Sequence, residues 1–295
     1  IGMFDIVNIE KPGTLEAALE MLSRNPDLKI IAGGTDVLIK MRNGALEEAE
    51  LLSLRNIPGM DEISILDNGT ISIGAMATFA KVIRSSIINE NLPVLSEAAV
   101  SVGGPQIRNM ATIGGNICNG AVSADSAATL LAYDAELKLL SRSGSRTVPI
   151  REFYAGPGKV NLRPAEILTD ILIPKAGYDK TSGCYIKYSS RKAMDIAMLG
   201  VSVVCKTEGG KFSDVRIALG VAAPVPIRCS EAEAYAIGKE ISDETMKETG
   251  RYAVKASKAR DSWRASKAYR EHLIEVMVFR ALKEAVIRGG GVYNG

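Results

Sequence analysis

The stretch Ile30-Ile31-Ala32-Gly33-Gly34-Thr35-Asp36-Val37-Leu38 sets two adjacent glycines and a small polar residue in an apolar frame. A second stretch, Ala111-Thr112-Ile113-Gly114-Gly115-Asn116, has the same character. Adjacent glycines let a backbone approach a bulky ligand closely, because no Cβ stands in the way. A polar residue followed by a helical pattern, as over residues 37–41, aims free backbone N–H groups at an anion. Either glycine pair alone would more simply be a tight turn, but together they predict a site for a ligand that carries phosphates.

The overall composition shows no strong preference for nucleic acid or membranes. At 295 residues the chain is long enough for two or three hydrophobic cores. Its net charge of +2 and pI near 8.3 are too mild to indicate a nucleic-acid partner. No apolar run approaches the ~20 residues that span a membrane, and the first residues lack the pattern of a secretory signal. We therefore expect no nucleic-acid partner and no membrane span.

Cysteine and histidine usage limits the chemistry that the side chains can perform. Cys118, Cys184, Cys205 and Cys229 are widely separated and form no CxxC pair, which argues against a zinc or iron–sulfur site in this chain. The same spacing favours a reduced, cytoplasmic protein. His272 is the only histidine and falls in a long helical pattern, where a packed or solvated role is favoured over a ligand. Since we find no catalytic triad, serine elbow or metal cage, we expect a bound cofactor to supply the chemistry.

The residues around the first glycine pair follow the order strand, glycine turn, helix. Thr14 is placed to cap a helix that ends at residues 25–27, and residues 28–32 are typical of a short buried strand. This order is similar to a Rossmann unit, but GxGxxG is absent and no second βαβ unit follows. The Walker A sequence is absent as well. A nucleotide bound here would therefore use another scheme.

The middle of the chain contains one long segment without regular periodicity. Residues 106–126 are typical of neither helix nor strand, which is uncommon in a compact domain unless the segment binds something. Asp125, near its end, could cap a helix over residues 127–132 or bind the ribose hydroxyls of a nucleotide, and both alternatives stay open. The other elements predicted here are a hairpin over 63–66 and 70–73, helices over 79–85 and 93–102, and strands over 136–140, 147–150 and 166–174.

A loop at residues 175–183 and a change in composition indicate a domain boundary. Beyond it the pattern predicts strands first and helices afterwards, which is typical of an α+β domain. The predicted strands cover 185–188, 201–206 and 215–221, and the predicted helices cover 230–238, 244–257 and 264–286.

Several stretches of the sequence resemble those of a known family. Ala32-Gly33-Gly34-Thr35-Asp36 and Thr112-Ile113-Gly114-Gly115-Asn116 resemble the two FAD-pyrophosphate loops of the flavin-carrying medium subunit of molybdenum hydroxylases, the family of xanthine, CO and nicotinate dehydrogenases. Further stretches agree with it and extend the likeness over nearly the whole chain. These are Arg146-Thr147-Val148-Pro149-Ile150 with Phe153, Glu166-Ile167-Leu168 followed by Ile171, Ile173 and Pro174, and Ala265-Ser266-Lys267-Ala268-Tyr269-Arg270.

The resemblance implies an α+β fold in two domains. Residues 1–176 would form a two-subdomain FAD-binding fold of the vanillyl-alcohol-oxidase (PCMH) type, divided at about 1–56 and 57–176. Residues 177–295 would form a smaller α+β C-terminal domain of the CO dehydrogenase flavoprotein type.

The resemblance also implies the residues of the FAD site. The first stretch would hold the pyrophosphate, the second would contact pyrophosphate and ribityl chain, and Asp125 would bind FAD hydroxyls. Lys187 would lie near the isoalloxazine and tune it, while no side chain would be catalytic and no metal would bind. The implied FAD-binding residues are Lys29, Ile30, Ile31, Ala32, Gly33, Gly34, Thr35, Asp36, Val37, Ser101, Ala111, Thr112, Gly114, Gly115, Asn116, Cys118, Asp125, Leu168 and Lys187.

The chain departs from the family that it resembles at one position, which the resemblance places beside the flavin. Xanthine-oxidising members carry a large aromatic residue shortly before the second loop, whereas this chain has Ala99-Val100-Ser101-Val102-Gly103. Another residue must therefore cover the flavin face, and Tyr154 and Tyr188 are candidates. The cysteine-rich insertion of the benzoyl-CoA-reducing branch is absent, which argues against that branch.

The resemblance implies an electron-transfer role within a complex. FAD on this chain would take electrons from [2Fe-2S] clusters of a small subunit and pass them to NAD⁺ or NADP⁺. A large subunit with the molybdenum cofactor would hydroxylate the substrate, an N-heterocycle such as nicotinate or xanthine. Two alternatives stay open: a self-contained flavin oxidase or reductase of the same fold, and a non-catalytic scaffold whose glycine loops are structural.

Overall fold

The computed structural model describes residues 4–262 and 265–291. Its first part is a parallel sheet in the order β1-β3-β2, with helices in the connections. As predicted, Thr14 caps the first helix, because its hydroxyl accepts a hydrogen bond from the Ala17 N–H at 3.2 Å. The elements are β1 (Ile6–Glu10), α1 (Leu15–Arg24), β2 (Lys29–Ile31), α2 (Val37–Arg42) and β3 (Ala49–Ser53).

A second, antiparallel sheet follows in the order β4-β5-β10-β6-β7. Its central strand β10 pairs Ile171 with Ile73 on one side and with Leu137 on the other, so the middle of the sheet is fully buried. Its strands are β4 (Ile63–Ile65), β5 (Ile71–Gly74), β6 (Glu136–Ser141), β7 (Gly144–Pro149) and β10 (Ile167–Ile173). A separate two-stranded sheet is formed by β8 (Tyr154–Gly156) and β9 (Lys159–Val160). The helices are α3 (Phe79–Arg84), α4 (Ser86–Asn91), α5 (Pro93–Val100), α6 (Pro105–Met110), α7 (Ile113–Cys118), α8 (Asp125–Ala132) and α9 (Ile150–Phe153).

The prediction of an irregular segment at residues 106–126 is wrong, because α6, α7 and the start of α8 lie there. Pro105 opens α6, where its missing N–H costs nothing. Thr112 caps α7 by accepting a hydrogen bond from the Gly115 N–H at 3.1 Å. The two glycines inside α7 lower its helix propensity, so the cap and the surrounding contacts decide the structure.

The last part of the chain forms an antiparallel sheet in the order β11-β12-β13-β14, covered by helices. The predicted order of strands followed by helices is confirmed, although the loop predicted at 175–183 contains a short helix, α10 (Lys175–Tyr178). The strands are β11 (Ser182–Tyr188), β12 (Leu199–Glu208), β13 (Lys211–Gly220) and β14 (Ile227–Arg228), and the helices are α11 (Ser230–Ala236), α12 (Asp243–Ala256) and α13 (Lys267–Arg288).

The final helix begins later than the sequence predicts. α13 starts after Ser266, whose hydroxyl accepts a hydrogen bond from the Tyr269 N–H. Arg264, the predicted first residue, lies outside the described residues. His272 is exposed on α13, as its helical pattern suggested. Within the described ranges, no helix combines the length and apolarity needed to cross a membrane.

The C-terminal sheet packs directly against helices of the preceding region. β12 and β13 pack on α8, and β11 packs on α5. Val204 of β12 and Ala218 of β13 belong to the same hydrophobic core as α8. This packing brings side chains of β11 next to the start of α8, although about sixty residues separate the two elements.

Candidate functional site

The two glycine stretches touch each other through their backbones. A Cβ placed on Gly33 would lie 1.9 Å from the Met110 carbonyl oxygen, so any side chain at this position would force the two segments apart. Gly114 is equally constrained, because its Cβ would lie 2.6 Å from the carbonyl oxygen of Ala75. Gly34 has φ +76°, which only glycine adopts without strain. Gly33 and Gly114 are therefore required by contacts within the protein, rather than only by the approach of a ligand.

A cleft of about 410 Å³ lies between these stretches, and we call it the glycine cleft. Its lining is mainly apolar and includes Leu54, Leu162 and Leu168. All but four of the residues implied by the resemblance line it. Those lining residues are Lys29, Ile30, Ala32, Gly33, Gly34, Thr35, Asp36, Val37, Ala111, Thr112, Gly114, Gly115, Asn116, Cys118 and Leu168.

The two stretches differ in the hydrogen-bond donors that they offer to the cleft. The backbone N–H groups of Thr35, Asp36 and Val37 have no acceptor among the described residues. In the second stretch, the N–H of Ile113 donates to Ala77 and the N–H of Gly114 donates to Ala75, both at 2.9 Å. The second stretch therefore offers fewer free backbone N–H groups to the cleft than the first. The first stretch fits a pyrophosphate, because unpaired N–H groups that line a cleft can donate to its oxygens.

The four implied residues that do not line the glycine cleft have clear positions elsewhere. Ile31 lies next to Ile30 on β2, but packs into a small core around Met41 and Leu51. Ser101 and Lys187 line a second cleft of about 360 Å³, which we call the lysine cleft. Its other lining residues are Tyr188, Ser189, Ser190, Arg191, Lys192, Ala193 and Asp195.

Asp125 lies beneath the lysine cleft and is held by side chains of β11. Its carboxylate accepts a hydrogen bond from the Lys187 ammonium at 2.9 Å and one from the Tyr185 hydroxyl at 2.8 Å. Lys187 also donates to the Ser101 carbonyl oxygen at 3.1 Å. Asp125 does not cap α8. Ala124 occupies the cap position, and no side chain makes a cap hydrogen bond to this helix. The capping alternative for Asp125 is therefore wrong.

The ionisation of this cluster follows from its burial. The side chains of Lys187 and Asp125 are only 12% and 8% exposed. Burial raises the pKa of Asp125, while the Lys187 ammonium and the Tyr185 hydroxyl act in the opposite direction. Burial also raises the pKa of Tyr185, and the neighbouring Asp125 charge raises it further. Tyr185 is therefore a neutral hydrogen-bond donor at physiological pH.

The start of α8 lies between the two clefts. Asn116 lines the glycine cleft, and its side-chain oxygen accepts a hydrogen bond from the Ser126 hydroxyl at 2.7 Å. The next residue towards the N-terminus, Asp125, contacts Lys187 of the lysine cleft. Adjacent residues at the start of α8 therefore contact one lining residue of each cleft.

The sequence of each domain matches a family model. Residues 4–176 match the FAD binding domain in molybdopterin dehydrogenase, and residues 184–285 match the CO dehydrogenase flavoprotein C-terminal domain. The chain belongs to the FAD-binding medium subunits of the molybdenum hydroxylases. It is the flavin subunit of a dehydrogenase, and hence part of an oxidoreductase.

Several proteins are similar to this flavin subunit over nearly their whole length. The xanthine dehydrogenase FAD-binding subunit of Escherichia coli O157:H7 is 42% identical, over 98% of this chain and 99% of that protein. The 6-hydroxypseudooxynicotine dehydrogenase complex subunit alpha of Paenarthrobacter nicotinovorans is 34% identical, over 93% of both. Carbon monoxide dehydrogenase from Hydrogenophaga pseudoflava, a solved structure, superposes with a TM-score of 0.91 at 30% identity, over 97% of this chain and 99% of that chain. The predicted α+β fold and the family are confirmed.

The two tyrosines suggested to cover the flavin face differ in their surroundings. Tyr154 is 7% exposed and packs edge-on against Phe153. Tyr188 lines the lysine cleft, and its hydroxyl pairs with that of Tyr269 at 2.6 Å. Tyr188 therefore stays a candidate for this role in the flavin subunit.

The sequence did not indicate two polar residues of the glycine cleft. Lys40 on α2 donates a hydrogen bond from its ammonium to the side-chain oxygen of Asn119 at 2.8 Å, and both line the cleft. The sequence did contain a signal for Lys40, because Lys40 lies four residues after Asp36 and so shares its helix face.

Cys118 was implied by the resemblance and also lines the cleft. Burial raises its pKa to about 12, so it is a thiol at neutral pH.

Proposed function

We propose that this chain holds FAD with its pyrophosphate against the first glycine stretch. The observation that carries the proposal is the glycine cleft itself, formed where two similar stretches far apart in sequence meet through their backbones. The unpaired N–H groups of Thr35, Asp36 and Val37 would donate to the phosphate oxygens, and the apolar wall around Leu168 would exclude water. Lys187 would lie near the isoalloxazine at the lysine cleft.

The bound FAD would link one-electron donors to a two-electron acceptor. We propose that the donors are [2Fe-2S] clusters on a small subunit and that the acceptor is NAD⁺ or NADP⁺. A large subunit with the molybdenum cofactor would carry out the hydroxylation. Support comes from the relatives that are named as subunits or medium chains of dehydrogenases. This chain would bind, orient and tune the cofactor without touching the substrate.

The substrate that we propose is an N-heterocycle, with a purine such as xanthine favoured over nicotinate. The xanthine dehydrogenase subunit shares 42% of its residues with this chain, whereas the nicotinate dehydrogenase FAD-subunit of Eubacterium barkeri shares 30%. Since the substrate would react on another subunit, its identity follows from these relatives rather than from either cleft.

We also propose how the chain is divided and where it works. Residues 1–176 would hold FAD, with subdomains at about 1–56 and 57–176, and residues 177–295 would form the C-terminal domain. Support comes from the two larger hydrophobic cores, one centred on α8 and β10 and the other on β12 and α13. We place the complex in the cytoplasm, because the four cysteines of this chain are widely separated free thiols.

The test is anaerobic flavin reduction in the reconstituted complex. The purified chain is combined with its small and large subunits, and the visible flavin absorption is followed after addition of xanthine or nicotinate. We expect xanthine to bleach the flavin only when all three subunits are present, and NAD⁺ or NADP⁺ to restore the colour. Bleaching of the isolated chain would instead establish a self-contained oxidase. A chain that holds no flavin would support the scaffold alternative.

A further inference from the structure

The strand β11 places two polar side chains on one face, directed at the same carboxylate. Tyr185 and Lys187 are two residues apart, so the strand period projects them to the same side. Each donates to a different oxygen of Asp125: the Tyr185 hydroxyl to Oδ1 and the Lys187 ammonium to Oδ2. Both carboxylate oxygens are therefore occupied by donors from one strand of the C-terminal sheet.

The neighbouring strand leaves room for this arrangement. Lys187 pairs with Gly200 of β12 in the antiparallel register. A Cβ at Gly200 would lie 3.1 Å from the Tyr185 hydroxyl oxygen, a contact tight enough to displace the hydroxyl. With glycine at position 200, the Tyr185 hydroxyl keeps its place beside Asp125 without crowding from β12.

The second hydrogen bond matters because the ion pair is buried. A buried ion pair is held in one geometry only when its remaining lone pairs are satisfied. With Tyr185 present, the Asp125 carboxylate cannot rotate without losing a hydrogen bond. The ammonium of Lys187 is in turn fixed between Asp125 and the Ser101 carbonyl oxygen. Without the Tyr185 hydroxyl, the carboxylate would be free to rotate and the ammonium would be less precisely placed.

We propose that Tyr185 is a positioning residue that acts through Asp125 to hold the Lys187 ammonium at the lysine cleft, where the ammonium favours reduced over oxidised FAD. This inference rests on the proposed function, because it requires the isoalloxazine to lie near Lys187. The physical reason is that reduced flavin carries negative charge, and a fixed cation in a poorly hydrated site stabilises it more than a mobile one.

The test is the midpoint potential of bound FAD in four proteins: wild type, Tyr185→Phe, Lys187→Met and the double variant. We expect Lys187→Met to weaken binding of reduced relative to oxidised FAD about tenfold, which makes the two-electron potential about 30 mV more negative. We expect Tyr185→Phe to weaken binding of reduced relative to oxidised FAD about threefold. Because Tyr185 acts through Lys187, the double variant should match Lys187→Met alone.

Two further variants separate positioning from a general loss of stability. Tyr178→Phe removes a hydroxyl that donates to the Gly69 carbonyl oxygen, a comparable hydrogen bond outside both clefts, and should leave the potential unchanged. Gly200→Ala keeps the Tyr185 hydroxyl but crowds it, and should shift the potential in the same direction as Tyr185→Phe. Agreement of both variants with these expectations would support the positioning role.

The outcomes distinguish this inference from the function on which it rests. If Lys187→Met lowers the potential but Tyr185→Phe leaves it unchanged, or if the two shifts add in the double variant, Tyr185 does not position Lys187. If Lys187→Met itself leaves the potential unchanged, the tuning role of Lys187 is wrong and the inference falls with it. A wild-type chain that binds no FAD would overturn the proposed function.

Discussion

The glycine cleft takes its walls from two backbone segments that touch, whereas the lysine cleft takes its polar groups from side chains on distant elements. In the first, Gly33 lies against the Met110 carbonyl oxygen and offers no side chain. In the second, Lys187 reaches Asp125 and Ser101 across the boundary between the C-terminal sheet and α5 and α8. We propose that backbone contacts in the glycine cleft hold FAD and that side chains at the lysine cleft tune its reduction potential. Changes in the glycine cleft should therefore weaken or abolish FAD binding, and changes in the lysine cleft should alter the reduction potential of bound FAD.

The largest effect is expected from Gly33→Ala. The added Cβ would lie 1.9 Å from the Met110 carbonyl oxygen, so one of the two glycine stretches must move. We expect FAD content to fall below about a tenth of wild type and the free energy of unfolding to fall by about 3 kcal/mol. Flavin absorbance per chain and urea unfolding measure the two changes.

The matched control is Gly13→Ala, since a Cβ at Gly13 meets no atom within 4 Å. We expect normal FAD content in this variant. Full FAD binding by Gly33→Ala would show that the contact between the glycine stretches is not needed for the cleft.

A smaller effect on stability is expected from Arg146→Met. Arg146 makes two hydrogen bonds to the buried Glu166 carboxylate, at 2.7 and 2.8 Å, near the start of β10. Losing the guanidinium removes both of these hydrogen bonds from a buried carboxylate and should cost about 2 kcal/mol at pH 7. The potential of bound FAD should not change, because the pair lies away from the lysine cleft.

The same pair predicts a pH dependence with a definite sign. The hydrogen bonds from Arg146 hold the pKa of Glu166 below its ordinary value of 4.5. A carboxyl whose pKa is lowered by folding stabilises the protein above the unfolded value and loses this contribution as the pH falls through the folded value. Wild type should therefore lose stability below about pH 4.5 more steeply than Arg146→Met, as urea unfolding at several pH values would show. Parallel profiles would contradict this account of the pair.

A moderate effect on affinity is expected from Lys40→Ala. Its ammonium lies at the glycine cleft beside Asn119, where it would attract the negative charge of the pyrophosphate. We expect the dissociation constant of FAD to rise about fivefold, or about 1 kcal/mol, measured by titration of the apoprotein. Lys247→Ala, an exposed lysine on α12, is the control. Equal FAD affinities in Lys40→Ala and Lys247→Ala would show that Lys40 does not contribute to FAD binding.

The smallest change is expected at Cys118. Because burial raises its pKa to about 12, almost none of it is thiolate at pH 8. We expect no alkylation by iodoacetamide within minutes in the native chain, and labelling of Cys118 in urea, as mass spectrometry would show. Rapid native labelling would contradict the raised pKa of the Cys118 thiol.

The glycine cleft could be predicted from sequence because its signal is local. Two glycine pairs with polar followers identify the segments, and Thr14 and Thr112 mark helix starts by rules that need no tertiary information. The short helices α6 and α7 were missed although Pro105 and Thr112 signalled them, because the glycines within α7 argued for a loop. Contacts such as that of Gly114 with Ala75 stabilise α7, and such contacts cannot be found from local sequence.

The lysine cleft could be predicted only in part. The resemblance matched Asp125 and Lys187 as separate positions, and the strand period places Tyr185 on the same face as Lys187. No local rule says which helix that face will meet, so the pairing of Asp125 with both side chains appears only in the folded chain. Side-chain sites assembled across a domain boundary are accordingly harder to predict than sites built from backbone motifs.

The most direct test of the central claim is a titration of the apoprotein with FAD, followed by the change in flavin fluorescence. We expect saturation at one FAD per chain, loss of binding in Gly33→Ala, and binding in Lys187→Met with near wild-type affinity but an altered potential. Absence of binding by the wild-type chain, or equal binding by wild type and Gly33→Ala, would contradict the claim that the contact between the two glycine stretches builds the cofactor site.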